Sequence, residues 1–356
     1  MKKVDFIIVG QGLAGSVLAY LLQKQGQKVV IFDKFTEGGK LSSSQIAAGV
    51  INPITGMRFV KTWRIDAFLA AAKALYLDIE TDLGIKLWHE RSIFRALRTI
   101  EEQNNWLLRS SFPDYQPYCG ETAPSVKSIN QFKSVIEIKN AAQVNLPALV
   151  AHFRHTFKTN NILLTDNFDT AKLDISTDKI IYKDVHASKI IFCEGIGGAK
   201  NPFFKHLPFN PDKGELLLVK IPNLDLSQIF KNKMTIVPLH DTEGGNKDLY
   251  WVGATNVWTF DNDLPNEATK ELIINELKNT ISIPFEVVAH QAAIRPTVKD
   301  RRPFIGCASQ QYPNIYIFNG FGTKGASLVP FWASHFVGHL LHHTPIDKEV
   351  DVKRFG

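Results

Sequence analysis

Several groups of residues in this 356-residue chain have types and spacing suited to chemistry. Gly10, Gln11, Gly12, Leu13, Ala14 and Gly15 complete G-x-G-x-x-G directly after the apolar run Val4 to Val9. Gly10 allows a tight turn, Gly12 lets backbone approach a pyrophosphate, and Gly15 lets helix pack on strand. Asp33 lies 18 residues after Gly15, where a carboxylate accepts hydrogen bonds from a ribose. Together these predict a dinucleotide site. Near the other end, Gly322, Thr323, Lys324, Gly325 and Ala326 open an apolar helical pattern, and N–H groups at a helix start favour an anion. Lys324 adds a full positive charge if it points inward, and is a solvated turn residue if it does not. Arg58, Lys61 and Arg64 surround Trp63. They form either an entrance for an anionic substrate or a basic, solvent-facing loop on which Trp63 packs down. His240, His290 and the pair His342 and His343 lack carboxylate or cysteine partners at ligand spacing, so no metal site is expected. The pair instead reads as a helix end in water, favourable at the negative end of the dipole.

The elements that must hold these residues follow from periodicity. Val4 to Val9 reads as a buried parallel strand, Leu13 to Gln25 as a helix stopped by Gly26, and Lys28 to Phe32 as a second strand. "SSSQIAAGVINPITG", 42–56, is expected as a small-residue loop that lets backbone approach a ligand. Helices are expected over Ile65 to Leu83, around Trp106, over Leu146 to Phe157 and over Glu267 to Thr280, with "FPDYQPY" a loop. "ASKIIFCEGIGG", 187–198, predicts a third strand ending at Cys193, Glu194 and Gly195 beside the same nucleotide. "GELLLVKI", "KMTIVPL" and "DLYWVGATN", separated by turns such as "DTEGGNKD", predict an antiparallel sheet. "NIYIFNG", 314–320, is one more buried strand. Nucleotide-binding elements thus stand at the start, middle and end of the chain, with antiparallel elements between them. That order predicts a discontinuous nucleotide domain with a second domain inserted.

Composition sets bounds. The length suffices for two domains with their own cores. No apolar run reaches the ~20 residues of a membrane span, and Met1, Lys2 and Lys3 lead directly into the first strand, which leaves no room for a signal peptide. Cys119, Cys193 and Cys307 form no C-x-x-C pair, so a reducing cytoplasm is expected. The net charge of +6 comes from scattered Lys and Arg, which reads as a solvated basic surface, with a nucleic-acid partner left open.

The stretches "IIVGQGLAGS", "SSSQIAAG", "AAQVNLPALV", "ASKIIFCEGIG", "AIRPTVKDRRPFIG" and "FNGFGTKGAS", in this order, resemble the D-amino-acid oxidase-like family of FAD enzymes, which includes glycine oxidase, monomeric sarcosine oxidase and the oxidase half of a bifunctional tRNA wobble-uridine enzyme. The resemblance covers essentially the whole chain. It implies an α/β fold with an α+β insert: a discontinuous Rossmann-like FAD-binding domain over 1–75, 140–205 and 290–356, and an antiparallel-sheet substrate domain over 76–139 and 206–289. It implies that the glycine turn holds the FAD pyrophosphate, that Asp33, with Lys34 beside it, takes the adenosine ribose, and that Ser43, Ser44, Ala48 and Gly49 line the pyrophosphate and flavin side. Val144 matches the position whose backbone meets the adenine, Cys193 and Gly195 close the third strand, and Gly322 to Ala326 hold the pyrimidine edge of the flavin.

Flavin oxidation of an amine removes a hydride from the carbon next to nitrogen, and the protein positions the substrate and tunes the cofactor. Arg295, in "IRPT", matches the substrate-carboxylate arginine of glycine oxidase, and a guanidinium gives a planar, bidentate grip. Its alternative role is a structural pair with an acid such as Asp300. Other positions depart from glycine oxidase. Thr235 stands where that enzyme has a tyrosine, Asn256 where it has an apolar residue, and Thr323 where it has an arginine, so the substrate pocket differs. Ala293 stands where covalent sarcosine oxidases link the flavin, and Cys307 is too far along, so noncovalent FAD is expected. The function this implies is oxidation of a small amino acid or secondary amine, with dioxygen or another electron acceptor. Two alternatives stand beside it: a tRNA-modifying flavoenzyme acting on a carboxymethylaminomethyl wobble uridine, and a flavin-bound module without turnover.

Overall fold

Five short runs rich in β-branched residues form the parallel core of a larger sheet: Lys2–Val9, Val29–Asp33, Leu163–Thr165, Val185–Phe192 and Tyr312–Asn319. Their order across the sheet is Leu163, Val29, Lys2, Val185, Tyr312, and each neighbouring pair is parallel. Strands covered on both faces read as continuous apolar runs, which is how these read. Ile7, Val30, Phe32, Ile190, Phe192, Ile315 and Ile317 belong to one core cluster. The helix Leu13–Lys24 buries Val17, Leu18 and Leu22 and packs beside the helix Gly325–His342. The helix Leu146–Thr159 buries Leu149, Val150, Phe153 and Phe157, four positions on one helical stripe. Parallel strands send their carboxyl ends the same way. The loops after Val9, Asp33, Phe192 and Asn319 therefore gather at one end of the sheet, the end where open α/β sheets bind ligands.

The computed structural model describes residues 2–34, 41–122, 126–132, 134–176, 179–239 and 247–355. His240 and most of the "DTEGGNKD" turn lie outside the described residues. The chain divides into two compact units. The parallel sheet belongs to the first, Met1–Ala47, Leu146–Asp212 and Ile294–Gly356; the second is Ala48–Asn145 and Lys213–Ala293. The sequence places the crossings after 75, 139, 205 and 289. The chain changes unit after Ala47, Asn145, Asp212 and Ala293.

The second unit is built on an eight-stranded sheet in the order Glu286–Arg295, Asp212–Lys220, Leu249–Gly253, Thr235–Pro238, Ile229–Lys231, Ile93–Leu97, Ser134–Ile138, Cys119–Thr122. The expected antiparallel pairing runs through most of it. Ile229–Lys231 against Ile93–Leu97 is parallel, since no hairpin joins those two strands. On one face Phe94, Phe230, Ile236 and Val252 lie in register and pack with Ile273 and Leu277 of the helix Glu267–Lys278. Side chains alternate across a strand, so the next residues, Arg95, Lys231, Thr235 and Gly253, form a row on the opposite face. Two expected loops hold short helices instead. Ser43–Ile46 is a helical turn whose Gln45 Oε1 accepts from the Ser42 N–H at 2.8 Å, half of a capping box. Pro113–Tyr118 is a 3-10 helix that buries Tyr115 and Tyr118.

Candidate cofactor and substrate sites

The glycine turn is built so tightly that side chains are excluded from it. Gly10 has φ 100°, and a Cβ there would lie 2.5 Å from the Cys193 carbonyl oxygen. A Cβ on Gly15 would lie 2.0 Å from the Gly10 carbonyl oxygen. The Gly10 N–H donates to Phe32 O at 2.8 Å, and the Gln11 N–H donates to the Asp33 carboxylate at 2.8 Å. Arg154, from the Leu146–Thr159 helix, pairs with the same carboxylate. Asp33 is thus held in plane by a backbone donor and a guanidinium. Leu13 N–H donates to Ser44 Oγ at 3.1 Å. Gly12, at the N-cap of the Leu13–Lys24 helix, supplies no side-chain cap, so helix-start donors remain for an anion. The Gln11 side chain is buried and donates to Ser16 Oγ and Val150 O, which ties the turn to its neighbouring helices. Ala14 is half-buried in the first helical turn, Ser43 half-buried beside Ser44, and Lys34 exposed just past the strand.

The third strand ends beside the fifth. Cys193 is buried, its thiol pushed up by burial, and its N–H donates to Val9 O at 2.8 Å. Burial also raises the Glu194 carboxyl, which accepts from Asn201 Nδ2 at 2.7 Å. Asn319 Nδ2 donates to Gly195 O at 2.8 Å and so links the two strand ends.

Gly322–Lys324 is a single 3-10 turn, and Gly325 and Ala326 begin the long helix. Thr323 is exposed. The Gly322 N–H donates to Pro296 O at 3.2 Å. Next to it, Thr297 Oγ1 is buried with no partner among the described residues, and a Cβ on Gly322 would lie 3.5 Å from it. Lys324 is half-buried, and burial, then the charges of Arg301 and Arg302, depress its ammonium. Arg295 stands two residues before Thr297. Its Nη1 donates to Asp212 Oδ2 at 2.7 Å; Asp212 is 1% exposed and Arg295 17%. Asp300, the acid named from sequence as a partner, instead accepts from Arg354 Nε at 2.9 Å.

In the second unit Gly49, at φ 70°, meets Val144 so closely that a Cβ would lie 1.8 Å from the Val144 oxygen, and Val144 N–H donates to Gly49 O at 3.0 Å. Ala48, just before it, is half-buried. Lys61 pairs with Asp66 at 2.9 Å and donates to Asp114 O at 3.1 Å. Trp63 packs edge-on against Phe68 at 5.0 Å, and Arg64 lies over Trp63 at 5.2 Å. Arg58 is exposed at the turn before them, and Asn256 is exposed after the Leu249–Gly253 strand. Among the described residues no helix is long and apolar enough to cross a membrane, and no three His, Cys, Asp or Glu side chains gather to hold a metal.

The first unit suits a dinucleotide carrying a flavin. It offers helix-start donors, a fixed carboxylate, a turn no side chain can enter, and an unpartnered buried hydroxyl beside a second helix start. The profile of the DAO family, FAD dependent oxidoreductase, matches residues 5–337. The chain belongs to this family. It is an FAD-dependent oxidoreductase. It is 24% identical to a glycine oxidase of Bacillus subtilis (strain 168), over 98% of this chain and 95% of that one. It is 21% identical to the tRNA 5-methylaminomethyl-2-thiouridine biosynthesis bifunctional protein MnmC of Hahella chejuensis, over 96% of this chain and 57% of that one. In fold it matches the crystal structure of glycine oxidase from Geobacillus kaustophilus with a TM-score of 0.79 at 20% identity, covering 100% and 98% of the two chains. The iminodiacetate oxidase of Chelativorans sp. BNC1 matches with a TM-score of 0.74 at 18% identity, over 99% and 98%.

Arg154, Asn201, Asn319 and Asp212 hold the site together and were not picked out from sequence. Arg154 was legible in principle, as a cation on the apolar stripe of an expected helix. The others act through contacts between segments far apart in the chain, which no local pattern records.

Asp33→Ala is expected to weaken FAD binding roughly tenfold to a hundredfold, the equivalent of a charged hydrogen bond at about 1.5 to 3 kcal/mol. Titration of apoprotein with FAD, followed by flavin fluorescence, checks this. An unchanged dissociation constant would mean that the Asp33 carboxylate serves Arg154 and Gln11 alone.

Proposed function

We propose that the enzyme oxidises the carbon–nitrogen bond of a small amino acid or secondary amine to an imine. The observation that carries this reading is Arg295: a part-buried guanidinium, fixed by buried Asp212, two residues from the unpartnered Thr297 hydroxyl and the Gly322 turn. When bound, the flavin supplies the hydride acceptor. Arg295 grips the substrate carboxylate through its planar fork, and Asp212 keeps that fork from swinging. Gripping the carboxylate fixes the neighbouring carbon–hydrogen bond in one orientation. The start of the Gly325–His342 helix, with the Lys324 ammonium, favours negative charge on the pyrimidine edge of the cofactor. Relatives named glycine oxidase and iminodiacetate oxidase support an amine bearing a carboxylate. Thr235 and Asn256 stand where glycine oxidase has a tyrosine and an apolar residue, so a substrate other than glycine is expected.

An anaerobic screen of amino acids and secondary amines, watching flavin absorbance, tests the reading. Bleaching by a carboxylate-bearing amine supports it. Bleaching only by modified tRNA would move the enzyme to the reaction class of the MnmC relative, and no bleaching by any amine would sink it. FAD is expected to copurify and to be released by acid or heat, because Ala293 offers no sulfur and Cys307 lies in the separate strand Phe304–Ser309. Flavin that stays with the precipitated polypeptide would overturn the noncovalent attachment.

A further inference from the structure

The row Arg95, Lys231, Thr235 on the face of the second unit's sheet opposite Phe94 and Phe230 collects more positive charge than the protein neutralises. Lys231 is part-buried. Its one hydrogen bond, to Thr235 Oγ1, is 3.4 Å long, beyond the usual 2.7–3.2 Å range. No carboxylate of the described residues stands within ion-pair distance of it. Arg95, 6% exposed, lies on the Phe59 ring at 4.0 Å, donates to Gly56 O at 2.9 Å and reaches Glu102 at 3.5 Å. Arg98 reaches the same Glu102 oxygen at 3.0 Å. One carboxylate therefore serves two guanidinium groups, and among the described residues none serves Lys231. Burial, then Arg95 and Arg98, hold the Lys231 ammonium down to about 8. A buried cation without a counter-charge is costly, and is kept where an anion arrives to meet it.

We propose that Lys231, Thr235 and Arg95 form an oxyanion site that takes a carboxylate or phosphate group. Lys231 gives a point charge, the Thr235 hydroxyl a donor, and Arg95 a rigid N–H edge.

The test has two arms on the FAD-loaded enzyme. In the first, sulfate, inorganic phosphate and malonate are titrated calorimetrically, and thermal midpoints are read with and without them. Wild type is expected to bind and to be stabilised. Lys231→Met is expected to bind roughly tenfold to a hundredfold more weakly, Lys231→Arg within a few fold. Without anion, Lys231→Met should melt at or above the wild-type temperature, since it removes an unpaired charge. Affinity should fall as pH rises past about 8 in wild type and stay flat in Lys231→Met. Arg95 and Arg98 are the charged groups that act on Lys231, and Glu102, on the helix Ile100–Ser110, pairs with those two. Absent binding in wild type, undiminished binding in Lys231→Met, or a lowered melting point in that variant would overturn the site.

The second arm compares malonate with inorganic phosphate on wild type, and the tighter of the two tells carboxylate from phosphate. Lys231→Met is expected to lose most of the affinity for that tighter probe, and an equal affinity of wild type and variant for it would overturn the site.

Discussion

Arg295→Gln lowers turnover efficiency on a carboxylate-bearing amine by about two to three orders of magnitude, the kinetic equivalent of breaking a buried charge pair at roughly 3 to 5 kcal/mol. Glutamine keeps a polar group of similar reach but loses the charged, two-pronged grip. Both kcat and KM should suffer, because the lost contact aligns the reacting carbon. Asp212 adds a second consequence. At 1% exposure it loses its guanidinium partner in this variant, so the melting point should fall as well. Arg295→Lys separates the two effects. The lysine keeps a cation for Asp212 and restores stability, but offers a point charge in place of a fork, so efficiency stays low. A decarboxylated substrate analogue is expected to be poor for wild type and little changed in either variant. Equal losses on both substrates would show that Arg295 acts on the fold through Asp212 and that the carboxylate is held elsewhere, with Lys324 the next position to test.

Gly15→Val should yield protein that purifies without flavin. Its Cβ would stand 2.0 Å from the Gly10 carbonyl oxygen, and both groups are backbone-fixed, so the Leu13–Lys24 helix must move off the Lys2–Val9 strand. Overpacking of this kind costs roughly 1 to 3 kcal/mol or more. The displaced helix would carry away the helix start proposed to meet the pyrophosphate, so the loss is expected in FAD content before it appears in the fold. Circular dichroism and flavin absorbance on the same sample read the two separately. A yellow, stoichiometrically loaded Gly15→Val protein would show that helix-to-strand contact at this turn is not what positions the phosphates.

Much of the fold was legible because local pattern and tertiary role coincide. The Leu13 helix, the Ile65–Leu83 helix and the parallel strands carry apolar periods that match their buried faces. The short helix at Ser43–Ile46 was missed, although Ser42 and Gln45 spell a capping box, because small residues around them read as loop. Pro113–Tyr118 was missed for the opposite reason: Pro, Asp and Gln say turn, while the tyrosines that fold it inward say nothing until their neighbours are in place. The parallel pairing of Ile93–Leu97 with Ile229–Lys231 joins segments over a hundred residues apart, beyond any window of sequence. In the candidate site, the glycine turns and Asp33 announce themselves by type and spacing, and Arg295 by its type and its match to the glycine oxidase arginine. Their partners Arg154 and Asp212 do not, since an ion pair is a fact about two distant positions. Lys231 was silent too: a lysine at the end of a strand is ordinary until its missing counter-charge is seen.

The parallel sheet of the first unit also constrains how this protein comes into being. The Lys2–Val9 strand pairs with Val185–Phe192, which pairs in turn with Tyr312–Asn319. At about 5 to 20 residues per second of synthesis, the Tyr312 strand is completed roughly 6 to 25 seconds after the Val185 strand, and the Gly325–His342 helix later still. Through that interval residues 190–192 of the Val185 strand hold a bare, apolar edge able to recruit a neighbouring nascent chain. The flavin is not expected to rescue it early, because the Gly322 turn, proposed to hold it, arrives last. Yield in cells should therefore depend on chaperone capacity and growth temperature more than on riboflavin supply.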